Sequence, residues 1–256
     1  MEQAETSIDV GETFRLKPFP IAVVVLAALG IAFLSFATIE FLKLAVHLPE
    51  RPQMPWIAAS YYRVVELLYA FAAIRILKRF YPGTFGLVLP EGKSFVGAAV
   101  LIGLLLGVVL TLVDYAPQIV AVKPPTDNPY PLTAFNIAGW LSYAGVFAAV
   151  AEEVLFRGLL VTYLVQAMPG EVNVRGFSVS GAGVVVAFVY AFSYTNRFLN
   201  ESMALALLQV ACAFVSGVVF AYWYEKSKSL LAPVIGHGVS NMVEQGLIFA
   251  MVAAWS

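Results

Sequence analysis

Charged residues and cysteine are scarce in this sequence. Only 12% of its 256 residues are Asp, Glu, Lys or Arg, whereas these make up about a quarter of an ordinary soluble domain. Fifteen basic and sixteen acidic residues give a formal net charge of -1, so the chain offers no basic surface for nucleic acid. The single cysteine, Cys212, excludes an internal disulfide and any metal or redox motif built on two cysteines. Two histidines, His47 and His237, are too few for a zinc site with three His ligands.

Hydrophobic residues, in contrast, make up 61% of the chain, and the mean hydropathy is +0.84. A helix needs about 20 apolar residues to cross a bilayer, because its backbone amides must be paired within the segment. The sequence therefore predicts an all-α, polytopic membrane bundle of seven transmembrane helices, or eight if a long segment is divided. The predicted spans are residues 21–39, 56–74, 94–113, 134–168, 177–195, 203–224 and 230–255.

The loops between these spans predict the orientation. Residues 1–17 are polar and acidic, unlike the basic start of a signal peptide, so we expect the first span to stay as an anchor. With seven spans, nine Lys and Arg residues fall on the side of the N-terminus and four on the opposite side. Since basic loops favour the cytoplasm, the N-terminus is expected to be cytoplasmic.

Two spans contain residues that predict helix packing. Arg63 and Glu66 stand one helical turn apart and can form an ion pair. Gly103 and Gly107 form a small-xxx-small step, which favours close packing of helices within the fold over dimerisation.

Ionisable residues within a span are expensive to bury, which makes them candidates for function. Glu153 and Arg157 are four residues apart, with the acid first, and are expected to neutralise each other. Glu152 has no basic residue three or four positions away on either side. The sequence therefore predicts an unpaired carboxyl in an apolar wall, suited to act as a general base or acid.

A second polar cluster lies near the C-terminus, where glycines flank His237. His237 and Asn241 are four residues apart and share one helix face. An imidazole and a carboxamide that point to one place can form an oxyanion site. By itself, a lone buried histidine is more often a structural residue with a hydrogen-bond partner.

Two motifs resemble the type II CAAX prenyl endopeptidase family, which also includes bacteriocin-processing and abortive-infection membrane proteins. They are the EExxxR motif that starts at Glu152 and the HxxxN motif that starts at His237. The resemblance covers residues 151–241 and implies a prokaryotic plasma membrane protein. We expect one membrane domain over residues 1–256, in which the spans of residues 1–133 show little resemblance and residues 134–256 form the core with the motifs.

The resemblance also implies roles for these residues. In the family the first Glu of EExxxR activates water, and the matching residue here is Glu152. The His and Asn of HxxxN stabilise the oxyanion, and the matching residues here are His237 and Asn241. Glu153 and Arg157 would support the helix. The family's FxxxH motif maps onto Phe192 and position 196, but Asn196 stands there, and an amide cannot accept the proton of water.

The sequence thus favours a glutamate-dependent intramembrane endopeptidase with no metal and no cofactor. Its partners would be the lipid bilayer and membrane-proximal peptides or proteins, including prenylated C-termini where the host makes them. Because of Asn196, a non-catalytic membrane scaffold or regulator of the same family is the alternative. Two further readings are weaker: a divalent ion held by Glu152, Glu153 and His237, and a transporter with Glu152 as its proton site.

Overall fold

The structure is a computed structural model that describes residues 9–10, 16–46, 53–125, 130–174, 177–199 and 202–255. The side chains of residues 9, 10, 174, 196 and 197 are outside this description, as is His47. Of the described residues, 78% are helical. Its α-helices are α1 Pro18–Ala45, α2 Pro55–Leu77, α3 Val96–Asp114, α4 Ala116–Ala121, α5 Ala134–Ser142, α6 Ala149–Glu153, α7 Thr162–Ala167, α8 Gly181–Phe192, α9 Met203–Ser227 and α10 Leu231–Trp255.

Two π-helical segments, Tyr143–Ala148 and Val154–Val161, join α5, α6 and α7 into one continuous helix, which we call the composite helix. Residues 151–161 of this helix are all buried. It lies at the centre of the bundle, in contact with α1, α2, α8, α9 and α10. The first motif is therefore surrounded by other helices.

Local sequence signals start several of these helices. Pro18 and Pro55 occupy the first position of α1 and α2, where the missing N–H of proline has no cost. Ser180 caps α8, since its side chain accepts a hydrogen bond from the Gly183 backbone N–H at 2.8 Å. Thr133 caps α5 in the same way through the N–H of Asn136 at 3.2 Å.

Within the described residues, four helices are long and apolar enough to cross a membrane, namely α1, α2, α3 and α9. Large hydrophobic side chains point outward from α1, among them Phe19, Leu26 and Phe33. Outward apolar faces of this kind are suited to lipid. The protein is an integral membrane protein, and the count of seven or eight spans stays a prediction.

A small antiparallel sheet lies beside the helices and was not predicted. Its strands are β1 Asp9–Val10, β2 Glu171–Val174 and β3 Phe177–Ser180, in the order β1-β2-β3. The strand register places Asp9 of β1 opposite Asn173 of β2, and Val172 of β2 opposite Val179 of β3. The predicted span over residues 177–195 is therefore wrong at its start, because residues 177–180 pair as a strand and the helix begins at Gly181.

The bundle contains three closely packed helix pairs, α1 with α2, α8 with α9, and α3 with α10. Two glycines of α3 allow the last of these contacts. A Cβ on Gly103 would lie 2.7 Å from the Gly236 carbonyl oxygen, and one on Gly107 would lie 2.5 Å from that of Ser240. The prediction that these glycines pack within the fold is confirmed.

Candidate active site

Glu152 and Glu153 end α6, between the two π-helical segments of the composite helix. Both side chains are buried, with 8% of Glu152 and none of Glu153 exposed. A π-helical segment contains an inserted residue, which changes the direction of the side chains that follow. Such segments are frequent at functional sites. Burial at this point requires partners for both carboxylates.

Glu153 has two partners on one oxygen. Its Oε1 accepts a hydrogen bond from Arg157 Nη1 at 2.9 Å, which is the ion pair expected from their spacing. The same oxygen lies 2.8 Å from Nδ1 of His237, which comes from α10. Arg157 also donates from Nη2 to the Gly217 carbonyl at 3.2 Å. Glu153 therefore links the first motif to the second.

Aromatic rings enclose the imidazole and the guanidinium. Phe220 stacks on His237 with a centroid distance of 5.8 Å, and Tyr190 meets the imidazole edge-on at 6.3 Å. The Arg157 guanidinium lies 4.9 Å from the Tyr190 centroid and 5.4 Å from that of Phe220. Such contacts fix the ring orientation and stabilise the cation.

The bond to Glu153 also determines which nitrogen of His237 faces Glu152. A carboxylate only accepts hydrogen bonds, so Nδ1 carries a hydrogen and donates it to Glu153. Nε2 then points to Glu152, 3.7 Å from Oε2. The geometry brings an oriented imidazole next to one oxygen of the predicted base.

Glu152 is not isolated, contrary to the sequence prediction. Arg63 of α2 forms an ion pair from Nη2 to Glu152 Oε1, and a second one from Nη1 to Glu66 Oε2 at 2.7 Å. The predicted pair of Arg63 with Glu66 is confirmed, but the expectation of an unpaired Glu152 is wrong. The physical reason is that a guanidinium has two edges and can serve two buried carboxylates.

Asn241 holds α10 against the composite helix. Its Nδ2 donates to the Ala144 carbonyl at 3.1 Å. The backbones are in close contact nearby, since a Cβ on Gly238 would lie 2.3 Å from the Gly145 carbonyl oxygen. One hydrogen of the Asn241 amide is thus engaged, and the second one is available to another acceptor.

The predicted residues line two neighbouring cavities and not one. His237 and Asn241 line a cavity of about 350 Å³ between α3, α9 and α10. Glu152 and Arg63 line another, of about 440 Å³, between α1, α2 and the composite helix. Tyr194 lines both cavities. Arg63 and Tyr194 were not predicted as site residues, although the charge of Arg63 within a predicted span was a signal for it.

Phe192 and Asn196, the positions of the FxxxH motif, lie in different helical segments. Phe192 is the last residue of α8, and its ring is 70% exposed. Asn196 lies beyond that end, in the 3-10 helix Thr195–Leu199, and its side chain is outside the described part of the structure. Phe192 and Asn196 therefore do not share an α-helical face.

The two motif glutamates and His237 make a poor metal site. Glu153 Oε1 already accepts bonds from Arg157 and His237, and Glu152 Oε1 is paired with Arg63. A divalent ion would have to compete with these cations for the carboxylates. In the described ranges, no group of three His, Cys, Asp or Glu side chains could hold a metal ion.

Comparison with known families gives one match. Residues 134–243, less than half of the chain, match the model of the type II CAAX prenyl endopeptidase Rce1-like family. Comparisons with curated proteins and with solved structures returned no match. The matched residues contain both the EExxxR and the HxxxN motif, which confirms the resemblance. Residues 134–243 are therefore similar to the Rce1-like type II CAAX prenyl endopeptidase family.

Proposed function

We propose that this protein is an intramembrane endopeptidase in which Glu152 activates water to cleave a peptide bond close to the membrane. One observation carries the proposal: Glu152 Oε2 lies 3.7 Å from Nε2 of His237, whose ring is fixed by a 2.8 Å bond to Glu153. The family match supports a hydrolase over other membrane functions.

The proposed reaction uses the free oxygen of Glu152. Since Oε1 is paired with Arg63, Oε2 takes a proton from water while the water oxygen attacks the carbonyl carbon of the peptide. The carbonyl oxygen becomes an oxyanion. When the C–N bond breaks, Glu152 returns the proton to the leaving nitrogen, so the products are a carboxylic acid and an amine. This chemistry requires no metal and no cofactor.

His237 and Asn241 would stabilise the oxyanion. In its doubly protonated form His237 would donate from Nδ1 to Glu153 and from Nε2 to the developing charge. Asn241 contributes the amide hydrogen that is not bound to Ala144. Asn196 stands where the family has a histidine, so we assign it a water-binding role and not that of a base.

The proposed substrates are membrane-proximal peptides or proteins, with prenylated C-termini among them. A buried site at the centre of a membrane bundle supports this choice, since the substrate must approach from the bilayer or its surface. We propose a prokaryotic plasma membrane with the N-terminus in the cytoplasm, on the basis of the Lys and Arg distribution.

Cleavage by purified protein tests the proposal. Fluorescence-quenched peptides with and without a farnesylated C-terminal CAAX sequence are incubated with the protein in detergent. Glu152→Gln keeps the side-chain size but removes the base, so cleavage should fall by at least about 100-fold. Glu91→Gln, at an exposed loop position, is the matched control and should retain full activity.

A second function has one observation in its favour. Asn196 replaces the family histidine, which favours a scaffold or regulator that has kept the fold without the activity. An inactive wild-type protein that is correctly folded would support this alternative.

A further inference from the structure

The cavity that His237 lines continues away from the motif glutamates. Helices α9 and α10 form an antiparallel hairpin, and the stacking of Phe220 on His237 places these two residues at the same level. Gln209 also lines the cavity and lies about 16 Å farther along α9, at 1.5 Å per residue. Gln245 lines the same end from α10. The cavity is therefore elongated, with the imidazole at one end.

Several buried polar groups along this cavity have no hydrogen-bond partner among the described residues. Only 3% of Gln209 is exposed, yet neither its amide oxygen nor its nitrogen has a hydrogen-bond partner in the part of the chain that the structure describes. The same holds for Nε2 of Gln245 and for Oγ of Ser240, which is 1% exposed. Native proteins rarely leave such groups unsatisfied, so each one points to a polar ligand.

The lining also restricts the charge of that ligand. It includes the acidic side chains of Asp114 and Glu244, but no lysine or arginine among its described residues. Burial of an anionic ligand here would cost its hydration without a Lys or Arg partner to replace it. A carboxylate is thus disfavoured, while a neutral amide fits the unpartnered groups.

We infer that Gln209, with Gln245 and Ser240, binds the backbone of an extended, uncharged peptide segment that flanks the scissile bond. The inference deepens the proposed function and depends on it for the position of that bond. A glutamine amide can accept from a peptide N–H and donate to the C=O of the same residue, as a neighbouring strand does. About five extended residues, at roughly 3.3 Å each, cover the distance from His237 to Gln209.

Peptide binding measured without cleavage tests this subsite. The probes are dye-labelled octapeptides of alanine and serine with amidated C-termini, and a version in which two serines are glutamates. Affinity for the purified full chain in detergent is measured by thermophoresis. Gln209→Met keeps the side-chain length but removes the amide, and Gln166→Met, at an exposed position that lines a different cavity, is the control.

Gln209→Met should weaken binding of the neutral peptide about 10-fold, through the loss of two hydrogen bonds. The same variant without peptide should melt roughly 2 °C higher, because an unsatisfied buried amide has been removed. If Gln209 had a purely structural role, its replacement would lower the melting temperature instead. The control should change neither value, and the glutamate peptide should bind more weakly than the neutral one to every variant.

Equal affinity of wild type and Gln209→Met for the neutral peptide overturns the inference. So does the absence of binding to wild type, which would mean that the cavity holds water only. If Gln209→Met unfolds, Gln245→Met must weaken the same peptide about fivefold, and an unchanged affinity refutes the subsite. Binding that depends on Gln209 in a protein that cleaves no peptide refutes the peptidase and leaves the subsite intact.

Discussion

Replacement of Gly107 by alanine tests whether α3, which lies outside the residues that match the family model, positions the proposed oxyanion donors of α10. A Cβ at Gly107 would lie 2.5 Å from the Ser240 carbonyl oxygen, against about 3.4 Å for an ordinary contact. It would also lie 2.7 Å from Cβ of Val243. Neither neighbour is the flexible end of a side chain, so the helices must separate by roughly 0.9 Å.

This separation has two expected consequences. Overpacking of a dense core costs about 2 kcal/mol, which for a chain of this size lowers the melting temperature by roughly 6 °C. Ser240 lies between His237 and Asn241 on α10, so the displacement also moves the two proposed oxyanion donors. A misplacement of about 1 Å in catalytic geometry costs up to about 100-fold in rate.

The matched control is Gly97→Ala in the same helix. A Cβ at Gly97 would meet nothing within 4 Å. There the substitution removes only the conformational freedom of glycine, which should stabilise α3 by up to about 1 kcal/mol. Melting followed by tryptophan fluorescence in detergent, together with peptide cleavage, measures both variants. If Gly107→Ala has the same melting temperature and cleavage rate as Gly97→Ala, α3 does not position the site residues of α10.

Three further substitutions address the ion pairs and the FxxxH motif. Arg63→Met leaves two buried carboxylates without their cation and should lower the free energy of unfolding by about 3 kcal/mol in denaturant titration. Lys43→Met removes an exposed pair, with Lys43 32% and Glu40 44% exposed, and should cost less than about 1 kcal/mol; equal losses would contradict the structural importance of Arg63. If the wild type is an active enzyme, Asn196→His should change its cleavage rate modestly. If the wild type is inactive and Asn196→His gains cleavage, the wild type is a scaffold.

Local spacing predicted those features of the site that lie within one helix. Glu153 and Arg157 are four residues apart and form the expected pair, because a π-helical segment still leaves them within reach. Gly103 and Gly107 mark a close helix contact, since a strip of small residues admits another backbone at short distance. The apolar segments also located most helices, because burial of backbone amides in lipid requires them.

Contacts between distant residues could not be predicted in this way. Glu153 and His237 are 84 residues apart, and no spacing rule relates them. Arg63 already had a partner in Glu66, so nothing in the sequence indicated that its second edge would reach Glu152. The strand Phe177–Ser180 was missed because its apolar residues continue into α8, and a short apolar run does not distinguish a strand from a helix.

The ion pair of Glu152 changes the physical argument for its role. The sequence suggested a carboxyl isolated in hydrocarbon, whereas the structure shows one whose Oε1 is bound to Arg63 and whose Oε2 faces His237. A general base must be ionised before it can take a proton from water, and an ion pair is compatible with that form. The guanidinium also fixes the orientation of the Glu152 carboxylate, so Oε2 points in one direction. The orientation of the candidate base therefore depends on Arg63 of α2, which lies outside the residues that match the family model.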